Sequence, residues 1–100
     1  MTEKALDVYE RAIRMWGKTA QLGMVVEEAA ELIVCIRHWV RGRASNSQLY
    51  SEIADMQIML GQLTMILRYD GDETDLLIRA AMNEKLDRLD RTLAEQEARP

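Results

Sequence analysis

VEEAAEL at residues 26–32 and EIADMQIML at residues 52–60 decide the fold of this chain. The apolar residues around both stretches recur at helical spacing, with no strand-like alternation. Each stretch also carries two carboxylates three residues apart, so the chain reads E-x-x-E, twenty intervening residues, then E-x-x-D. A three-residue step places both acids of a pair on one helix face. The sequence therefore predicts two apolar helices that each present a pair of acids.

The four acids are Glu28 and Glu31 in the first stretch and Glu52 and Asp55 in the second. Each lies one helical turn from apolar residues, where a charge without a partner is costly. If the two helices pack antiparallel, four carboxylates meet in a small space and cannot all ionise there without a counter-charge. A hard divalent cation supplies that charge, and Mg²⁺ is the usual one in phosphate chemistry, with Mn²⁺ as an alternative. The other interpretation is a set of exposed helix charges that pair with nearby arginines.

The apolar periodicity along the whole chain predicts an all-α fold, an antiparallel four-helix domain that occupies residues 1–100 as a single domain. The first helix is expected at residues 3–16, with Thr2 as its N-cap, and the second at about residues 19–40. The third is expected from a cap at Ser45 or Ser47 to about residue 69. A turn at residues 70–72 and a fourth helix at about residues 74–95 complete the prediction.

The faces of the central helices predict self-association. The second helix has a long apolar stripe: Leu22, Val26, Ala29, Ile33, Ile36 and Val40. The third is apolar on almost every side, which is typical of a helix that is buried all round. Because one chain of 100 residues cannot cover that helix completely, we expect a homo-oligomer with the second and third helices in the interface.

Composition excludes several classes of protein. The formal net charge is −4 and the charges are mixed along the chain, which argues against a nucleic-acid polymer as partner. Cys35 is the sole cysteine, so neither an intrachain disulfide nor a cysteine metal cluster is expected. No apolar run is long enough to span a membrane and no signal-peptide pattern is present, which favours a cytoplasmic location. His38 is a lone histidine, for which a surface role is expected.

Residues 26–32 followed by residues 52–60 resemble the all-α nucleoside triphosphate pyrophosphohydrolases of the MazG type, whose signature is E-x-x-E, a spacer and E-x-x-D. The resemblance covers about residues 16–91. It implies an all-α fold assembled as a dimer or a dimer of dimers, and Mg²⁺ held at the four acidic positions named above. It also implies cleavage of (deoxy)nucleoside triphosphates to the monophosphate and pyrophosphate, as a nucleotide-pool housekeeping activity. Similar small members often have a Glu two residues after the final Asp, where this chain has Gln57.

Hydrolysis at the α-phosphate needs neutralisation of the triphosphate charge and an aligned, deprotonated water, and carboxylate-held metal ions serve both needs. Glu27 precedes the first expected ligand and lies beside Glu31 at i,i+4. A carboxylate in that position is a candidate general base. The alternative for Glu27 is a solvent-facing charge.

Substrate contacts are expected from two other places in the chain. Lys85 and Arg88 lie three residues apart on the fourth helix close to Asn83, a region where the family often carries a basic residue and an Asn. We expect this group to bind phosphates, the alternative being ordinary salt bridges along an exposed helix. Gln21 lies about two turns before the first acidic pair and is a candidate for hydrogen bonding to a base edge. Trp16 could stack on a base, but it completes the apolar stripe of the first helix and is expected in the core.

Other functions compete with this hypothesis. Phosphoribosyl-ATP pyrophosphohydrolase is related in fold, but the sequence around the two acidic pairs is closer to the MazG type. A ferritin-like di-iron bundle needs Glu-x-x-His pairs, and the residue three before His38 is Cys35. The alternative that involves no catalysis is a helical interaction module whose acids are structural.

Overall fold

A computed structural model describes residues 2–68 and 73–100. Within these ranges the chain forms four helices: α1 (Glu3–Trp16), α2 (Lys18–Val40), α3 (Asn46–Arg68) and α4 (Thr74–Glu97). The all-α class and the four helices are confirmed, and the helix ends lie within two residues of their predicted positions. The predicted turn at residues 70–72 lies outside the described residues, as does residue 69. No helix in the described ranges combines the length and apolar character needed to cross a membrane.

Side-chain caps explain where α1 and α3 begin. The Thr2 hydroxyl accepts a hydrogen bond from the Ala5 N–H at 3.1 Å, as predicted. Of the two predicted caps for α3, Ser45 is the one that forms. Its Oγ accepts from the Gln48 N–H at 3.1 Å, and Gln48 Oε1 accepts in return from the Ser45 N–H at 2.7 Å. This reciprocal pair satisfies two donors at the helix start. The α1–α2 junction is Gly17, whose φ of +89° suits a residue without a Cβ.

The apolar core lies where α1 packs on the carboxyl-terminal half of α3. Tyr9 and Ile13 from α1 meet Met65 and Ile66 from α3 in a single buried cluster, and Ile66 is only 1% exposed. Gly61 allows this close approach, because a Cβ at that position would lie 2.6 Å from Cε2 of the Tyr9 ring. The core therefore depends on a glycine in the middle of α3.

The helices α2 and α3 form the most extensive contact in the chain and run antiparallel. Gln21 lies with Gln62 around one cavity near the start of α2, while Cys35 lies with Gln48 around another near its end. The indole Nε1 of Trp39 donates to Asn46 Oδ1 at 2.7 Å across the turn between the two helices. This register sets the middle of α2 beside the middle of α3.

The fourth helix stands away from the other three. Among the described residues, α4 contacts only α3, with an ion pair between Arg68 and Asp75 near its start. No residue of α4 is buried, including the predicted apolar stripe. The Cα radius of gyration is 17.3 Å, against about 13 Å for a compact domain of 100 residues. The predicted four-helix domain is thus a three-helix body with a projecting fourth helix.

Two predicted apolar surfaces are exposed in the single chain. Trp16 was expected in the core and is 66% exposed, so that prediction was wrong. The physical reason is that α1 ends at this residue, and the indole lies at the edge of a cavity between α2 and α3 instead of on the packed face. The predicted stripe of α2 is also largely exposed, with Val26, Ile33 and Val40 among its most accessible members.

Candidate metal centre

Three carboxylates meet where the middle of α2 faces the middle of α3. Glu28 and Glu31 come from α2 and Glu52 from α3, and one oxygen of each lies within 4.8 Å of the others. The two glutamates of α2 share a face because they are three residues apart, and the antiparallel register sets Glu52 opposite them. Asp55, one turn further along α3, is half-buried and close enough for its charge to act on Glu28, but lies outside this set of three. The predicted convergence of acids from the two helices is therefore present.

Two of the carboxylate oxygens are buried without a hydrogen-bond partner. They are Glu28 Oε2 and Glu52 Oε2, one from each helix. An unpartnered buried oxygen of a charged group is costly, because it loses its hydration and gains nothing in exchange. Carboxylate oxygens at this spacing are the donor set that a hard divalent cation takes. The residues present thus fit a Mg²⁺ or Mn²⁺ ion.

The electrostatics of the cluster favour an added positive charge. Burial raises the pKa of Glu28, the negative charges of Glu31 and Asp55 raise it further, and a hydrogen bond with Glu31 and the charge of Glu52 act in the same direction. Each of these causes disfavours the ionised form of Glu28. A divalent cation bound here would offset the repulsion and give the two orphaned oxygens a partner.

Glu27, the candidate general base, is exposed on α2 next to Glu28. It is not one of the three convergent carboxylates, and it lies on the helix one turn before Glu31. A base that removes a proton from an incoming water must be reachable by solvent, and the exposed position of Glu27 meets this condition.

Two cavities of similar size flank the carboxylates along the α2–α3 pair. One, of about 530 Å³, is an open groove that includes Glu31 and Glu52 together with His38 and Arg43. The other, of about 550 Å³, is mainly apolar and lies on the side of the α1–α2 junction. The carboxylates thus lie between an open groove lined in part by the Arg43 side chain and a cavity with apolar walls.

Gln21, the candidate for contact with a base edge, lines the apolar cavity. Its side chain is buried. Gln62 lies in the same cavity, and Arg43 lies in the open groove. Sequence reasoning assigned no role in the site to either residue. A polar residue within the apolar run of α3 was the available signal for Gln62.

The predicted phosphate-binding group of α4 is not brought to the carboxylates within one chain. Asn83, Lys85 and Arg88 are all exposed, and among the described residues α4 makes no contact with α2. Arg88 lies 4.0 Å from Glu84 in an exposed i,i+4 pair, as the alternative interpretation expects. Asn83 lines a separate cavity between α3 and α4.

Comparison of the chain with models of protein families, with curated proteins and with solved structures gave no match. The functional argument therefore depends on the residues and their geometry.

Proposed function

We propose that this protein is a Mg²⁺-dependent pyrophosphohydrolase that converts (deoxy)nucleoside triphosphates to the monophosphate and pyrophosphate. The observation that carries the proposal is the cluster of Glu28, Glu31 and Glu52, whose oxygens lie within 4.8 Å of one another. Two of those oxygens are buried and lack any partner. A structural salt-bridge network would have paired them with arginine or lysine, whereas a cation site leaves them free for the ion.

Glu28, Glu31, Glu52 and Asp55 would hold the ion, which supplies charge neutralisation for the triphosphate and polarisation of its phosphoryl oxygens. In the reaction a water oxygen bonds to the α-phosphorus, and the bond from that phosphorus to the α,β-bridging oxygen breaks. The Glu27 carboxylate accepts the proton of the water, and the bridging oxygen leaves as part of pyrophosphate. In this arrangement Arg43, in the groove with Glu31 and Glu52, attracts the departing pyrophosphate.

Self-association is the second part of the proposal. The chain exposes 8007 Å², about 2,200 Å² more than the roughly 5,800 Å² expected of a folded monomer of this mass. A stable interface buries roughly 1,200–2,000 Å² in total. Much of the excess is apolar, since the stripes of α2 and α4 are uncovered. A second copy that covers them gives a dimer or a dimer of dimers and offers a route for Lys85 and Arg88 of α4 to reach a carboxylate cluster.

Product analysis tests the activity directly. The purified protein is incubated with Mg²⁺ and a panel of nucleoside and deoxynucleoside triphosphates, and pyrophosphate and monophosphate are measured separately from orthophosphate. We expect equimolar pyrophosphate and monophosphate, and no turnover in EDTA. Glu28→Gln and Glu52→Gln should each lower kcat/KM by more than about 100-fold, because even the outer partners of a metal are worth 10- to 100-fold.

The matched control is Glu95→Gln, an exposed glutamate near the end of α4, which should retain full activity. Release of orthophosphate alone would assign a different reaction to the same site. A folded protein that turns over none of the nucleotides would favour the helical interaction module.

A further inference from the structure

The end of the molecule at the α2–α3 turn has a charge opposite to that of the rest of the chain. Residues 32–51 contain three arginines and no Asp or Glu, a formal charge of +3 with His38 neutral. Because the whole chain has a formal charge of −4, the remainder carries −7. The three arginines are Arg37, Arg41 and Arg43, and we call them the arginine surface. Positive charge that is segregated in this way attracts anions.

All three side chains of the arginine surface are exposed and unpaired. Within residues 2–68 and 73–100, none of them forms an ion pair or a side-chain hydrogen bond, whereas Arg11 on α1 pairs with Asp7. A positive residue in the last turn of a helix stabilises its carboxyl end, and Arg37 is placed there. Helix-end stabilisation does not explain Arg43, which lies beyond the end of α2.

Hydrogen bonds hold the turn that carries the arginine surface in one shape. Gly42 has a φ of +74°, and its N–H donates to the Trp39 carbonyl at 3.0 Å. The Arg43 N–H donates to the His38 carbonyl at 2.7 Å. Together these bonds form a Schellman motif, which closes a helix and satisfies its last carbonyls. The arginine surface is therefore fixed against the end of α2 before any ligand arrives.

The arginine surface is continuous with the open groove that reaches the carboxylates. Arg43 and His38 line this groove together with Glu31 and Glu52. His38 follows Glu31 by seven residues on α2, a separation of about 10 Å along the helix axis. An anion that binds at the turn thus lies about two helical turns from the carboxylates, beside a groove that leads to them.

A polyphosphate has to approach this site against repulsion. The convergent carboxylates of Glu28, Glu31 and Glu52 are acidic, and the chain outside residues 32–51 is strongly negative. Charge of the opposite sign beside a cleft raises the local concentration of a ligand and its association rate, by about 10- to 1,000-fold in favourable cases. The arginine surface supplies that charge at the end of the groove away from the acids.

We propose that the arginine surface binds the phosphate chain of a nucleotide and leads it along the groove to the carboxylates. Guanidinium groups suit this role because they donate charge-assisted hydrogen bonds to phosphate oxygens. The choice of a nucleotide rests on the proposed function, whereas the binding of a polyphosphate does not. A nucleic-acid polymer fits less well, because it would extend past the three arginines onto the negative remainder of the chain.

Titration with inorganic tripolyphosphate tests the arginine surface without catalysis. The ¹⁵N-labelled protein, freed of divalent metal by dialysis, is followed by NMR as the anion is added. The backbone amides of residues 41–48 should shift and those of α1 should not. The affinity should fall by about 3-fold or more between about 50 and about 300 mM NaCl, since salt screens exposed charges.

Single substitutions identify the contacts of the anion. Arg41→Gln and Arg43→Gln should each weaken tripolyphosphate binding by about 2- to 5-fold, as expected for one exposed charge. Arg11→Gln makes the same change in net charge at an exposed position on α1. It is the matched control and should leave the affinity unchanged.

Kinetics with Mg²⁺ test the delivery of the substrate. The double variant Arg37→Gln/Arg41→Gln removes two charges that lie outside the groove. It should lower kcat/KM for nucleoside triphosphates by about 3- to 10-fold at low salt with kcat unchanged, and high salt should abolish the difference. Loss of helix-end stabilisation alone would lower the thermal midpoint without a salt-dependent change in KM. Arg11→Gln/Arg14→Gln, on α1, is the control of equal charge.

The proposal is overturned if tripolyphosphate shifts no amide of residues 41–48, or if Arg41→Gln and Arg43→Gln bind it as tightly as Arg11→Gln does. Binding at these amides by a protein that hydrolyses no nucleotide would retain the arginine surface and reject the proposed reaction. Pyrophosphate release with the same salt dependence in the double variant and the parent protein would retain the reaction and reject delivery by the arginine surface.

Discussion

The two halves of α3 differ in what covers them and in the charges that they carry. The carboxyl-terminal half is covered by α1 and contains all four buried residues of the helix: Met59, Gln62, Met65 and Ile66. In the amino-terminal half, residues 46–58, none is buried, and Glu52 and Asp55 lie there half-buried against α2. One helix thus contributes a packed core at one end and a charged cluster at the other.

The difference shows how a small chain can fold stably although some of its carboxylate oxygens lack hydrogen-bond partners. Apolar burial at the α1 end supplies the free energy of folding, while the acidic end opposes folding by repulsion and by its orphaned oxygens. The acids can persist because the apolar contacts that hold α3 in place are formed elsewhere on the same helix. Residues in the covered half should therefore affect stability, and those in the acidic half should affect metal binding.

Truncation of the core should have the largest effect on stability. Ile66→Ala removes a side chain that is almost completely buried and should lower the free energy of unfolding by about 2–5 kcal/mol. Urea denaturation followed by circular dichroism measures this. Val8→Ala, on the exposed side of α1, is the control and should change stability by less than about 0.5 kcal/mol. An equal loss of stability in the two variants would contradict the claim that α3 is packed at Ile66 and that α1 is open at Val8.

Addition of Mg²⁺ should reverse the destabilising character of the acidic half. An ion that binds only the folded chain raises the free energy of unfolding by about 2.7 kcal/mol at 100 times its Kd. Thermal melts with increasing Mg²⁺ measure this gain, with Ca²⁺ and Na⁺ for comparison. The gain should be absent in Glu52→Gln, which removes one of the convergent carboxylates. If both proteins gain stability equally, the ion binds elsewhere.

Gly61, in the half of α3 that α1 covers, offers a finer test. Gly61→Ala places a methyl group 2.6 Å from Cε2 of the Tyr9 ring, so the ring or α1 must shift, at a cost of about 1–3 kcal/mol. Gly23→Ala, on α2, has open space around the added atom and should instead stabilise the helix by about 0.5–1 kcal/mol. Chemical denaturation of the pair should give opposite signs. A neutral Gly61→Ala would show that α1 is not seated closely on α3.

The pH dependence of the metal-free protein should be the smallest effect. Burial and the carboxylates around it raise the pKa of Glu28 above its ordinary value of 4.5. The folded chain therefore binds this proton more tightly than the unfolded chain, and stability is lost as pH rises from 4.5 through the raised pKa. Thermal midpoints in EDTA between pH 4.5 and 7 should fall more in the parent protein than in Glu28→Gln. Parallel curves would mean that the pKa of Glu28 is not raised in the folded chain.

Much of the fold was predictable because its determinants are local. Helical periodicity and the Thr2 cap depend on residues within a few positions of each other, and the structure confirms the four helices and this cap. The meeting of Glu28, Glu31 and Glu52 was also predictable, since it requires only helical spacing and an antiparallel hairpin. The exposure of Trp16 was not, because the last turn of an amphipathic helix has the same pattern whether or not a neighbour covers it.

The sequence by itself determined the four helices, the Thr2 cap and the pairing of acids across α2 and α3, since each follows from spacing along one or two segments. Only the tertiary structure decided that α4 projects, that α1 covers one half of α3, and that Gln62 is buried with an oxygen that lacks a donor. These features depend on contacts between distant segments, where an apolar face in the sequence does not identify the surface that covers it. That is why the convergence of the acids was foreseen and the cavity beside them was not.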